Sequence, residues 1–159
     1  MTSTQQAIGL VVLIVICFAA AAIGSAFTTP SVPGWYASLT KPAWTPPAWV
    51  FGPVWSALYL AMAFAAWLVW RRAGFSSARG ALMLFAAQLV LNVCWSAIFF
   101  RVHRPGLAFA EILLLWLMIL AATLAFRPLS RAAAWLMVPY LLWVAFAATL
   151  NYSIWKLNA

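Results

Sequence analysis

AIGLVVLIVICFAAAAIGSAF, residues 7–27, is an unbroken apolar run with no charged side chain. A helix that crosses the hydrocarbon core of a bilayer needs about 20 such residues. The run closes on small residues, including Gly24, Ser25 and Ala26, a composition that also marks signal-peptide cleavage regions. Its flank argues against cleavage. Residues 1–6 carry no basic side chain, whereas a signal peptide begins with positive charge. The segment is therefore read as a retained span.

Working outward, residues 28–46 hold Pro30, Pro33, Gly34, Pro42 and Pro46, with Pro47 next. Proline removes a backbone donor and clashes with the preceding helical turn, so this segment is expected to be a structured loop and not a helix. Four more apolar runs follow at about 47–70, 79–100, 107–126 and 132–155. Arg71 and Arg72 close the first of these, a short turn at residues 73–77 follows, and Arg101 to Arg104 and Arg127-Pro128 mark the next two breaks. Pro53 falls in the opening turns of its run, where proline is tolerated. Pro139 is expected to kink the last helix without breaking it. The fold class is all-α: an integral membrane protein in which residues 1–159 form one bundle of five transmembrane helices, with the termini on opposite faces.

The composition agrees, with 68% hydrophobic and 6% charged residues against about 25% charged in soluble domains. The net charge of +8 does not imply a nucleic-acid partner. A phosphate footprint needs a basic face or stripe, and here Lys41, Arg71, Arg72, Arg79, Arg101, Arg104, Arg127, Arg131 and Lys156 all fall where spans end. They read as interfacial anchors and topology signals. Their distribution, five on one face against four on the other, leaves the orientation open. Cys17 and Cys94 lie within apolar runs, and the single histidine, His103, lies in a short basic loop, so no metal or covalent haem site is expected.

Inside hydrocarbon every polar side chain needs a reason. Gln88 and Asn92, four residues apart, share a helix face with Trp95. They serve either as interhelical glue or as ligand contacts. Trp55, Tyr59 and Met62 form a comparable stripe on the second run, and Trp143, Ala147 and Asn151 on the fifth. Of the eleven tryptophans, Trp70, Trp135 and Trp155 lie near span ends and suit an interfacial belt, whereas Trp55, Trp95 and Trp143 lie deeper and suit a flat aromatic ligand. Trp35, Tyr36, Trp44 and Trp49 place aromatics in the proline-stiffened loop, as a lid would. Glu111, the only acid, is either functional, paired with a base such as Arg104, or reaching water. Without a second carboxylate or a Ser-His-Asp set, ordinary hydrolytic chemistry has no support. Leu150, Tyr152 and Lys156 match the loose pattern proposed for cholesterol contact, and equally suit interfacial anchoring.

Several motifs recur together: Trp35-Tyr36, KPAWTPP at residues 41–47, VFGPVW at 50–55, Gln88-Leu89 with Asn92, and VPYLLW at 138–143. In this order and spacing they resemble the tryptophan-rich sensory protein and translocator protein family, also called the peripheral benzodiazepine receptor family. The resemblance runs from about residue 35 to residue 158. It implies a five-helix bundle, usually a homodimer, that binds porphyrins, sterols and other aromatic small molecules beneath the first loop, with membrane lipid around it, no required cofactor and no metal. Carried onto this chain, the pocket would use Tyr36, Trp44, Trp55, Gln88, Asn92, Trp143 and Ala147, and the sterol stretch Leu150, Tyr152 and Lys156. Ser153 stands where the animal proteins commonly have arginine. The expected function is tetrapyrrole binding for transport or sensing in a bacterial membrane. One alternative is an enzyme for light-dependent porphyrin breakdown, with Trp55 and Trp143 as redox-active residues. Another is a sterol or lipid binding protein.

Overall fold

A computed structural model describes residues 2–159, and the described residues form helices and connecting turns without a strand. Helix α1 is Ser3–Thr28, α2 is Ala48–Ser96, α3 is Pro105–Phe126 and α4 is Arg131–Leu157. Each lies within a stretch long and apolar enough to cross a membrane, the second of which continues to Arg101.

That second stretch is 54 residues long, far more than one crossing requires. It is two arms. Gly74, at φ 70° and ψ 171°, interrupts the helical geometry. Across this kink Tyr59 meets Asn92 and Met62 meets Gln88, two pairs centred on residue 75, so the arms run antiparallel. The five expected spans are thus α1, the two arms of α2, α3 and α4. The turn expected at residues 73–77 is instead helical on both sides of one glycine, because a single residue free to take positive φ makes the bend. Only glycine occupies that region of φ/ψ without strain of about 1–3 kcal/mol. Gly74→Ala is expected to lower the thermal midpoint by several degrees, read by circular dichroism in detergent, while leaving the helical content of the folded protein unchanged.

Helix α1 opens on a reciprocal cap: Thr2 Oγ1 accepts from the Gln5 amide at 3.2 Å, and the Thr2 amide donates to Gln5 Oε1 at 2.9 Å. At its other end the loop expectation needs correction. Residues 32–36 form a π-helical turn, with the Tyr36 amide donating to Ser31 O at 2.9 Å. Pro33 sits in the first turn, where its missing N–H is not needed. Lys41 is likewise more than an interfacial anchor. Its ammonium donates to Tyr36 O at 2.6 Å and Leu39 O at 2.9 Å, closing the end of this turn, and lies 4.8 Å from the Tyr36 ring centroid. Between α1 and α2 the chain makes a turn at residues 29–31 and is non-helical from Leu39 to Pro47.

The core is built on small residues, with Ala63, Ala65, Ala66, Ala108 and Ala133 fully buried. Small side chains let helix backbones approach where lipid offers no hydrophobic drive for association. Gly9 is such an approach: a Cβ there would stand 2.2 Å from the Trp70 ring. The indole N–H of neighbouring Trp67 donates to Gln6 O at 2.9 Å. Outward positions carry Val11, Val15, Met83, Val90, Leu117 and Leu142, all exposed, as a lipid-facing surface requires. Cys94 belongs to this surface, whereas Cys17 is buried.

Candidate functional site

A cavity of about 390 Å3 opens inside the bundle, within the usual range for small-molecule sites of about 300–1,000 Å3. Its walls come from α1 (Phe18, Gly24, Thr28), the first arm of α2 (Phe51, Trp55, Tyr59), the second arm and the π-turn that ends it (Asn92, Trp95, Phe99, Phe100) and α4 (Trp143, Ala147, Leu150, Asn151). Val32 and Tyr36 from the π-helical turn roof it. None of the lining residues comes from α3, which packs behind.

The walls are ring surfaces. Trp55 lies 5.7 Å from Tyr59 and 6.1 Å from Tyr140, Phe51 meets Trp143 edge-on at 5.9 Å, and Trp95 stacks on Phe99 at 5.4 Å. Such pairing holds each ring in place, so the cavity presents fixed aromatic faces. The small Ala147 on α4 leaves the space between Trp143 and Asn151.

Behind one wall runs a buried polar relay. The Tyr59 hydroxyl donates to Asn92 Oδ1 at 2.6 Å, Asn92 Nδ2 donates to the Tyr140 hydroxyl at 2.9 Å, and that hydroxyl donates to Gln88 Oε1 at 2.9 Å. Gln88 Nε2 ends the chain against Met62 Sδ at 3.7 Å. The two readings of the amides thereby separate. Gln88 is fully buried, absent from the cavity lining, and serves as glue between three helical segments. Asn92 both belongs to the relay and lines the cavity. A second tie fixes the other wall, where Trp95 Nε1 donates to Asn151 Oδ1 at 3.0 Å and Asn151 Nδ2 to Pro105 O at 2.8 Å.

Of the residues anticipated for the pocket, Tyr36, Trp55, Asn92, Trp143 and Ala147 line the cavity, and Gln88 and Trp44 do not. Trp44 is half exposed and packs 5.8 Å from Phe146, which itself lies 5.4 Å from Trp143, so it buttresses the wall from outside. Burial pushes the Tyr36 phenol above its usual range, so it is a neutral hydroxyl at physiological pH. The sterol-type stretch divides: Leu150 lines the cavity, while Tyr152 and Lys156 are exposed, with the ammonium 5.8 Å from the Tyr152 ring and 4.8 Å from the Trp155 ring. Glu111 does not hydrogen-bond Arg104, and although the residue is half-buried its carboxyl group does not reach the surface. Both carboxyl oxygens are buried without a hydrogen-bond partner, as is Trp143 Nε1.

Sequence reasoning missed the contributions of α1, where an all-apolar run carries no signal for which face meets a ligand. It also missed Phe51, Phe99 and Phe100, which are indistinguishable in the sequence from lipid-facing phenylalanines.

The roof is tied down at both ends. Ser31 Oγ donates to Phe100 O at 2.5 Å, Trp35 stacks on His103 at 4.2 Å, and Thr40 and Asn158 exchange two hydrogen bonds at 3.0 and 2.9 Å. Replacing Pro42, Pro46 and Pro47 together by alanine is expected to loosen the loop and weaken ligand binding by about fivefold, roughly 1 kcal/mol. Helical content should stay intact, and unchanged affinity would mean that the loop is no lid.

The sequence model of the TspO/MBR family matches residues 13–156. The chain is 40% identical to the tryptophan-rich protein TspO of Chlorobaculum tepidum over 158 residues, covering 97% of this chain and 98% of that protein. It is 43% identical to the translocator protein of Homo sapiens over 138 residues, or 86% of this chain and 82% of the relative. To the tryptophan-rich sensory protein of Cereibacter sphaeroides it is 40% identical over 124 residues, or 78% and 77%.

Proposed function

The chain belongs to the TspO/MBR family, and on that premise we propose that this membrane protein binds a tetrapyrrole such as a porphyrin within its bundle, for transport or sensing. The observation that carries this reading is the cavity itself: aromatic faces at Trp55, Trp95 and Trp143 in a mainly apolar lining, with hydroxyls and the amides of Asn92 and Asn151 between them. A porphyrin is a flat aromatic ring with a polar rim, so it stacks on indoles and directs its rim to isolated polar contacts. Transport and sensing are the roles suggested by the names translocator protein and tryptophan-rich sensory protein borne by the relatives. A bacterial membrane fits the near full-length match to the Chlorobaculum tepidum protein. The cavity is complete within one chain, so a homodimer is not needed to form it.

Sterol binding is the weaker reading, because two residues of its sequence pattern, Tyr152 and Lys156, face away from the cavity that Leu150 lines. The test is a titration of porphyrin into purified protein in detergent, in the dark, followed by tryptophan fluorescence. Saturable quenching that a sterol does not reverse supports the proposal. Quenching that rises linearly, as in protein-free micelles mixed with free tryptophan, rejects it.

A further inference from the structure

Away from the cavity, the end of the first arm of α2 meets the turn between α3 and α4 in a groove of about 580 Å3, lined by Arg72, Arg127, Pro128, Leu129, Ser130 and Arg131. The three arginines are exposed. Arg71 beside them is engaged elsewhere, its guanidinium lying 4.7 Å from the Trp67 ring centroid. The chain's only acid cannot neutralise the groove. Glu111 lies on α3 and Arg127 just past its end, 16 positions apart, roughly 24 Å at about 1.5 Å per residue.

A further positive element is added by α4. Its first turn begins at Arg131, with Ser130 Oγ accepting from the Ala133 amide at 3.3 Å. The amides of residues 131 and 132 stand at the helix N-terminus, where the backbone dipole favours an anion. Like charges held together at a protein surface repel, and an anion of planar or tetrahedral oxygen geometry relieves that repulsion through bidentate guanidinium contacts. The surroundings select among anions. Leu124, one turn before Arg127, Trp135, one turn after Arg131, and Phe75, close after Arg72, are all exposed apolar side chains, so a molecule bound here has an apolar flank as well as a charged head.

We infer that this groove is a binding site for the phosphate headgroup of an anionic phospholipid, whose acyl chains lie along the outer faces of α3 and α4. A basic pocket between membrane helices at the interface is the type of site that holds such headgroups. Dispersed interfacial anchors would serve topology without converging, whereas here Arg72 and the pair Arg127 and Arg131, distant in sequence, meet on one groove.

The test uses the full-length protein in neutral detergent. Native mass spectrometry counts retained lipid after addition of phosphatidylglycerol, phosphatidylcholine or inorganic phosphate. Phosphatidylglycerol should be retained at one preferred site per chain over phosphatidylcholine. Each of R72Q, R127Q and R131Q should weaken that retention about fivefold, and the triple variant roughly a hundredfold; the single variants carry the test if the triple variant does not assemble. R101Q/R104Q, which removes two charges from the opposite end of the bundle, should change it less than twofold. Equal loss in that control would overturn the proposal, since net charge alone would then explain the binding. Retention indifferent to headgroup charge would overturn it too. Competition by millimolar inorganic phosphate, with no gain from the acyl chains, would assign the groove to a soluble anion and overturn the lipid.

Discussion

Alanine at Trp55 or at Trp143 is expected to cost about 1–3 kcal/mol of porphyrin binding each, roughly a 5- to 150-fold loss. Both indoles line the cavity from different helices. Each is wedged by aromatic neighbours, Tyr59 and Tyr140 around Trp55 and Phe51 and Phe146 around Trp143, so no other ring is free to move into the vacated place. Phenylalanine at either position should recover much of the loss, because stacking needs the ring face and not the indole nitrogen. At Trp143 the recovery tests one further feature. Its N–H is buried without a partner, and a ligand acceptor that reached it would make phenylalanine fall short there while sufficing at Trp55. The same variants under illumination separate a binder from an enzyme. A phenylalanine variant that holds porphyrin but no longer promotes its breakdown in light would make the indole a redox participant. If alanine at both positions left the dark titration unchanged, the ligand would not be held between these helices.

The second large effect divides stability from binding. Asn92→Leu removes the acceptor of the Tyr59 hydroxyl and the donor to Tyr140, leaving a buried phenol without a partner. That cost is about 1–3 kcal/mol, or a drop of several degrees in the thermal midpoint, together with weaker porphyrin binding because Asn92 lines the cavity. Gln88→Leu removes the acceptor of the Tyr140 hydroxyl and should cost a similar amount of stability. It touches no cavity surface, so porphyrin affinity should stay within about twofold. Thermal unfolding and the dark titration on the two variants check both halves. Equal loss of affinity in both would mean that the relay as a whole positions the ligand, and that the division between glue and contact drawn from the geometry is wrong.

Several features are legible in the sequence alone. The apolar runs between basic residues announced five spans, because a bilayer demands length and apolarity whatever the packing. Pro42, Pro46 and Pro47 marked the non-helical strap correctly, since proline acts locally. Pro33 misled for the same reason: a local rule does not say at which position of a turn the ring will fall, and at the start of a π-helical turn it costs nothing. Gly74 was visible as part of a turn, but a break of several residues was expected where one residue with positive φ suffices.

The sequence by itself determined the solvent, the number of crossings and the family, because each depends on composition, length and local motif. It also brought Gln88, Asn92 and Trp95 onto one helix face, since helical periodicity dictates that. Only the tertiary structure decided which of them meet the cavity. Gln88 and Asn92 lie one turn apart on the same stripe and both bond the Tyr140 hydroxyl of α4, yet Gln88 is enclosed between Tyr140 and Met62 while Asn92 reaches the wall of the cavity. It also decided that Trp44 supports the wall from outside, that Lys41 caps a turn, that the Glu111 carboxyl is buried without a hydrogen-bond partner, and that Arg72 joins Arg127 and Arg131 across a long interval of sequence. Each of these depends on which helices become neighbours and how they are rotated. In lipid that choice rests on close packing of small residues and a few buried hydrogen bonds, contacts between distant segments that no local pattern encodes.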